Sequence, residues 1–120
     1  MTLRDGETLL TITKNRLKAG CAWAWADIAV EMEPDEPAAW AETLARLAED
    51  GAGAVTLRSH SGQLQATFAM AKKSELHVSL VLQNDPDYLN ELRLFLNLPQ
   101  SDLIAIIDAV RSICSTQHEL

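Results

Sequence analysis

The chain has 120 residues, 48% apolar and 22% charged, and a formal net charge of −7 at pH 7. That length supports one hydrophobic core spanning residues 1–120, since a second domain would be too small to hold itself together. The composition is that of a folded protein, and an acidic surface disfavours direct nucleic-acid binding, which needs clustered Lys and Arg.

The segment Met1-Thr2-Leu3-Arg4-Asp5-Gly6-Glu7 carries acids and no apolar run, so no secretory signal is expected. The longest strongly apolar runs, such as Leu103–Ile107, fall far short of the roughly 20 residues that cross a bilayer. No membrane association and a cytoplasmic address are the expectation. Thr8–Thr13 is β-branched with partial alternation and reads as a first strand, and Arg16–Gly20 as a turn. Cys21–Met32 then alternates with period two and reads as one long strand. One face carries Cys21, Trp23, Trp25, Asp27, Ala29 and Glu31; the other carries Ala22, Ala24, Ala26, Ile28, Val30 and Met32.

Glu33-Pro34-Asp35-Glu36-Pro37 breaks that strand and opens a helix, with proline in the first turn and acids at its positive end. Trp40, Leu44 and Leu47 form its apolar stripe, and Gly51 ends it. A meander follows. Ala54–Ser59 is a strand, Ser61-Gly62 a turn, and Leu64, Ala66, Phe68 and Met70 alternate along the next strand. Lys72-Lys73-Ser74 turns the chain before Leu76, Val78, Leu80 and Leu82. Asn84-Asp85-Pro86-Asp87 is a strong turn signal ahead of Leu92, Leu94, Leu96 and Leu98. Pro99 stops that strand, Ser101 can cap a last helix, and Leu103, Ile106, Ile107, Val110, Ile113 and Cys114 form its buried stripe.

The expected fold is α+β: a mainly antiparallel sheet of about six strands, in the order β-β-α-β-β-β-β-α, with both helices on one face. No internal sequence repeat is visible. The other face of the sheet is then left for water or a partner. If the alanines of Cys21–Met32 lie under a helix, Trp23, Trp25, Asp27 and Glu31 project from the open face. Gln65, Thr67, His77, Ser79, Val81, Glu91, Arg93 and Phe95 join them by the same alternation. The alternative is that the tryptophans belong to the core.

Charge is uneven along the chain. Residues 27–50 hold eight acids against Arg46, while residues 1–26 have a small basic excess. The acidic stretch suits a basic protein partner. Trp23, Trp25, Asp27, Glu31, Glu33, Asp35 and Glu36 are therefore the candidate partner-binding residues.

Chemistry was sought and is not expected. His60, His77 and His118 lack a second ligand at zinc-site spacing, and Cys21 and Cys114 have no Cys-x-x-Cys neighbour. The two cysteines read as reduced, half-buried thiols. No P-loop, G-x-G-x-x-G or G-x-S-x-G occurs. Ser59-His60-Ser61 reads as a hairpin tip, and the pairs Asp35/Glu36 and Asp85/Asp87 as turn residues. No catalytic residue, metal or cofactor is expected.

A strand with Trp, a helix bearing Trp40, Leu44 and Leu47, and a Gly-containing entry into a meander form the first part of a pattern. Leu92, Leu94 and Leu96 followed by Ser101-Asp102-Leu103 form the second. From Trp23 to Ile113 this order resembles small immunity proteins of bacterial polymorphic-toxin and contact-dependent inhibition systems. Members tend to carry a polar, aromatic-containing signature before the last helix, where this chain has Leu98-Pro99-Gln100-Ser101. The resemblance implies a cytoplasmic protein that binds and blocks a cognate toxin without chemistry of its own. A monomer or homodimer is the expected state. A basic toxin domain would suit the acidic stretch. The alternatives are an acidic secretion chaperone, or an uncharacterised small-molecule-binding domain or enzyme.

Overall fold

Alternation places apolar side chains on one face of every strand, and two antiparallel meanders result. A computed structural model describes residues 2–13, 16–22, 24–29, 35–59, 62–83 and 91–118. Its first sheet has the order β1 (Thr2–Asp5), β2 (Thr8–Ile12), β3 (Arg16–Cys21) and β4 (Ala24–Ala29). Helix α1 (Glu36–Asp50) follows. The second sheet comprises β5 (Ala54–Arg58), β6 (Leu64–Met70), β7 (Glu75–Gln83) and β8 (Glu91–Pro99), and α2 (Asp102–His118) follows it. Each half is thus four antiparallel strands and then a helix.

The expectation of α+β with antiparallel strands and two helices holds at this level. In detail it is corrected: among the described residues eight strands form two sheets of four, where one sheet of about six was expected. Three local features account for the difference. Thr2–Asp5 pairs with Thr8–Thr11 through a two-residue turn, whose first position is supplied by Gly6 at φ +58°. Arg16–Cys21 is a strand paired on both sides and not a turn. Cys21–Met32 is not one strand, because Cys21 ends β3 and pairs with Ala24 across a hairpin. That reversal shifts the phase of the alternation. Cys21 therefore lies half-buried against the core, while Trp25 projects from the opposite face.

The core joins both sheets and both helices. Leu3, Leu10, Ile12 and Ala19 come from the first sheet; Leu80, Leu94, Phe68, Leu96 and their row neighbours come from the second. Trp40, Ala41, Leu44 and Leu47 of α1, and Leu103, Ile106, Ile107 and Val110 of α2, complete it. The α1 stripe and the α2 stripe from Leu103 to Val110 thus fall on the expected residues, while the side chains of Ile113 and Cys114 lie outside the description. The molecule is 22 Å across its thinnest direction, about one sheet layer plus one helix layer at roughly 10 Å each.

Local signals explain the element ends. Pro37 lies in the first turn of α1, and Gly51 closes the helix in the left-handed conformation, its N–H donating to the Leu47 carbonyl at 3.0 Å. Lys72–Ser74 is a single 3₁₀ turn between β6 and β7. The halves also touch at strand level: β1 and β2 contact β8. There the Asn97 backbone N–H donates to Asp5 Oδ2 at 2.8 Å.

Candidate binding surfaces

Residues directly opposite in an antiparallel ladder share a face, so register defines the outer surface of each sheet. In the first sheet, Arg4, Leu9, Gly20 and Trp25 form one outward row, and Thr2, Thr11, Lys18 and Asp27 the next. The inward rows contain the buried Leu3, Leu10 and Ala19. Trp25 is 62% exposed. Gly20 opposite it has no side chain, so no β3 side chain flanks the indole in its own row. Asp27 accepts from Arg16 Nε at 2.8 Å, with both groups about half exposed. Arg4 and Lys18 are exposed on the same face.

The structure thus chooses between the two sequence readings of this strand for Trp25, which lies on the outer face with Asp27. Trp23, Glu31 and Glu33 lie outside the described residues. Asp35 is exposed at the N-cap of α1, without a side-chain capping bond, and Glu36 is in the first turn. Residues 30–34, which join β4 to α1, also lie outside the described residues. Trp25 and Asp27 are therefore brought together by the fold, and Asp35 and Glu36 are adjacent on the helix start.

The sheet face that carries Trp25 differs from the sequence expectation in charge. Half of the eight acids of residues 27–50 (Glu36, Glu42, Glu49 and Asp50) sit on α1, where Glu42 and Arg46 pair at 2.8 Å. The face that carries Trp25 has Arg4, Arg16 and Lys18 against Asp27. The cause is cross-strand pairing: β1 contributes Arg4, and β3 contributes Arg16 and Lys18, to the same surface as β4.

The second sheet also turns a polar face outward. Thr56, Thr67, Ser79 and Phe95 form one row, and Arg58, Gln65, Val81 and Arg93 the next. Phe95 is 69% exposed, and the Thr56 and Thr67 hydroxyls lie 3.0 Å apart. Gln65, Thr67, His77, Ser79, Val81, Glu91, Arg93 and Phe95 are thus outward as the alternation predicts. They belong, however, to a different sheet from Trp25. Arg58 and Gln83, absent from that expectation, complete the row pattern; only the register could reveal them.

Of the chemical candidates, Ser59 has a structural role. Ser59 is buried, and its Oγ accepts the Leu64 backbone N–H at 3.1 Å while its carbonyl accepts from Gly62. That is hairpin work; His60 and Ser61 lie outside the described residues, as does the Asn84–Asp87 turn signal. His77 contacts Glu75 at 3.1 Å on the outer face. Cys21 is a free thiol; Cys114 and His118 lie in α2. Among the described residues no group of three or more His, Cys, Asp or Glu is placed to hold a metal ion. No helix among them is long and apolar enough to cross a membrane.

These features define the chain as an α+β protein, mostly strands, with two outward polar sheet faces that each carry an exposed aromatic. No protein-family model matches its sequence, and no curated protein matches it. A crystal structure of a protein of unknown function from the DUF155 family of Prochlorococcus sp. NATL2A is similar. The TM-score is 0.41 and the identity 12%, with 94% of this chain and 98% of that chain covered. A likeness of that degree assigns no activity.

Proposed function

We propose that the chain is a non-enzymatic protein-binding domain of the immunity kind, which occupies and neutralises a cognate toxin. The observation that carries this reading is Trp25, a large apolar side chain 62% exposed on the outer face of a sheet. Tryptophan is the residue type most enriched among those that dominate binding energy, because it offers a large rigid surface with one polar atom. Asp27 beside it, with Asp35 and Glu36 at the start of α1, supplies polar contacts. The acids of α1 favour a basic partner and speed its approach at low salt. Cytoplasmic residence belongs to the same reading.

The test is co-expression with the product of a neighbouring gene that is toxic when expressed alone. Growth should be rescued, and Trp25→Ala should abolish rescue while lowering affinity at least about thirtyfold, the scale of a hot-spot truncation. Its far-UV spectrum and melting temperature should stay as in the parent. Absence of rescue by the parent protein, or full affinity in the folded variant, would sink the proposal.

A further inference from the structure

The outer face of the second sheet contains a row in register across all four strands. Arg58 on β5 stands opposite Gln65 on β6, Gln65 opposite Val81 on β7, and Val81 opposite Arg93 on β8. Gln83 and Glu91 face each other in the neighbouring row. Together with Gly62 these residues line a depression of about 410 Å³, within the range of roughly 300–1,000 Å³ typical of small-ligand sites.

The bonding inside it is unequal. Arg93 directs Nε and Nη2 onto Glu91 Oε1 at 3.2 and 3.1 Å, and Gln83 Nε2 donates to Glu91 Oε2 at 3.4 Å. Both carboxylate oxygens of Glu91 are thereby engaged. Arg58 instead donates Nη2 to the neutral amide oxygen of Gln65 at 2.5 Å. It has no carboxylate partner among the described residues. Among the described residues, two cations and one anion give the depression a positive balance, in a chain whose net charge is −7.

We propose that this depression binds a small oxyanion, a carboxylate or a phosphate, with Arg58 as its principal charge. A guanidinium has five N–H donors in a planar fork that matches an oxyanion, and one bond to Gln65 leaves the others for ligand. Gln65 draws the guanidinium over β6, toward the depression. The Gln83 amide and the remaining donors of Arg93 lie along its other side, and Val81 provides an apolar floor. This site goes beyond the partner-binding reading and does not depend on it, since Trp25 belongs to the other sheet.

The experiment titrates the full chain separately with inorganic phosphate and with succinate, at ionic strength held constant with chloride, while following amide chemical shifts. Saturable shifts are expected at Gln65, Val81 and Arg93 and none at Trp25; the anion that saturates lower identifies the head group. Arg58→Gln keeps a polar side chain beside Gln65 but removes the charge, and should weaken binding at least about tenfold. Glu91→Gln removes the competing carboxylate and should tighten it severalfold, an effect that a purely structural role would not produce. Arg4→Gln, on the other sheet, should change nothing. Shifts that fail to saturate with either anion, or unchanged affinity in a folded Arg58→Gln variant, would overturn the proposal.

Discussion

The first four strands and the last four follow one plan, a meander and then a helix, but they fill it with different side chains. In the second half, strands of five to nine residues send Leu76, Val78, Leu80, Leu82, Leu94, Leu96 and Leu98 into the core. The first half has strands of four to six residues, and its inner face mixes Leu3, Leu10 and Ile12 with Ala19. Long leucine rows bury more apolar area per strand and hold their own register. The first sheet buries the small Ala19 completely, so more of its stability rests on the core it shares with the other elements. The difference teaches that one sheet is specified largely by its own pattern and the other by what packs on it.

Three substitutions probe that contrast. The largest effect is expected from Leu96→Ala, which empties a fully buried position of the central leucine cluster. A loss of about 3–4 kcal/mol in urea unfolding follows from lost transfer energy and the cavity left behind. A loss under about 1 kcal/mol would mean that this half is loosely packed.

Ala19→Leu tests the other half by the opposite operation. Ala19 is completely buried, so added methylenes must displace neighbours, at about 2 kcal/mol. A neutral or stabilising result would show that the first sheet has spare room and would weaken the contrast.

The smallest effect concerns the seam. Asp5→Ala removes the acceptor of the Asn97 backbone N–H, and should lower stability by about 1 kcal/mol. Hydrogen exchange at Asn97 should quicken more than at Leu96, whose amide belongs to the β7–β8 ladder. Equal protection factors before and after the substitution would remove Asp5 from the junction.

Legibility in the sequence followed the same division. Leu64–Met70, Leu76–Leu82 and Leu92–Leu98 alternate so regularly that their inner and outer faces were readable, and with them Gln65, Val81, Arg93 and Phe95 as surface residues. Arg16–Cys21 has Lys, Ala and Gly in place of β-branched residues, so nothing local marks it as a strand. Its conformation comes from hydrogen bonding to β2 and β4 on both sides. The Cys21–Met32 run misled for another reason: alternation continued unbroken through a hairpin, where a two-residue turn reverses which parity faces inward. Of the candidate partner-binding residues, Trp25 and Asp27 share the expected face. The cations around them come from strands that sequence alone could not place alongside.

By itself the sequence determined the local matters. It settled where the two helices lie, the buried stripe of α1 and that of α2 from Leu103 to Val110, the faces of the leucine strands, and the acidic excess of residues 27–50. These depend on side-chain periodicity and on caps such as Gly51, which act over a few residues. Tertiary structure alone decided that the described strands divide into two sheets, that Trp25 shares a sheet face with Arg4, Arg16 and Lys18, and that Arg58 and Arg93 flank one depression. Those are consequences of register between strands. Register is set by the summed burial of many side chains at once, and no single segment carries that information.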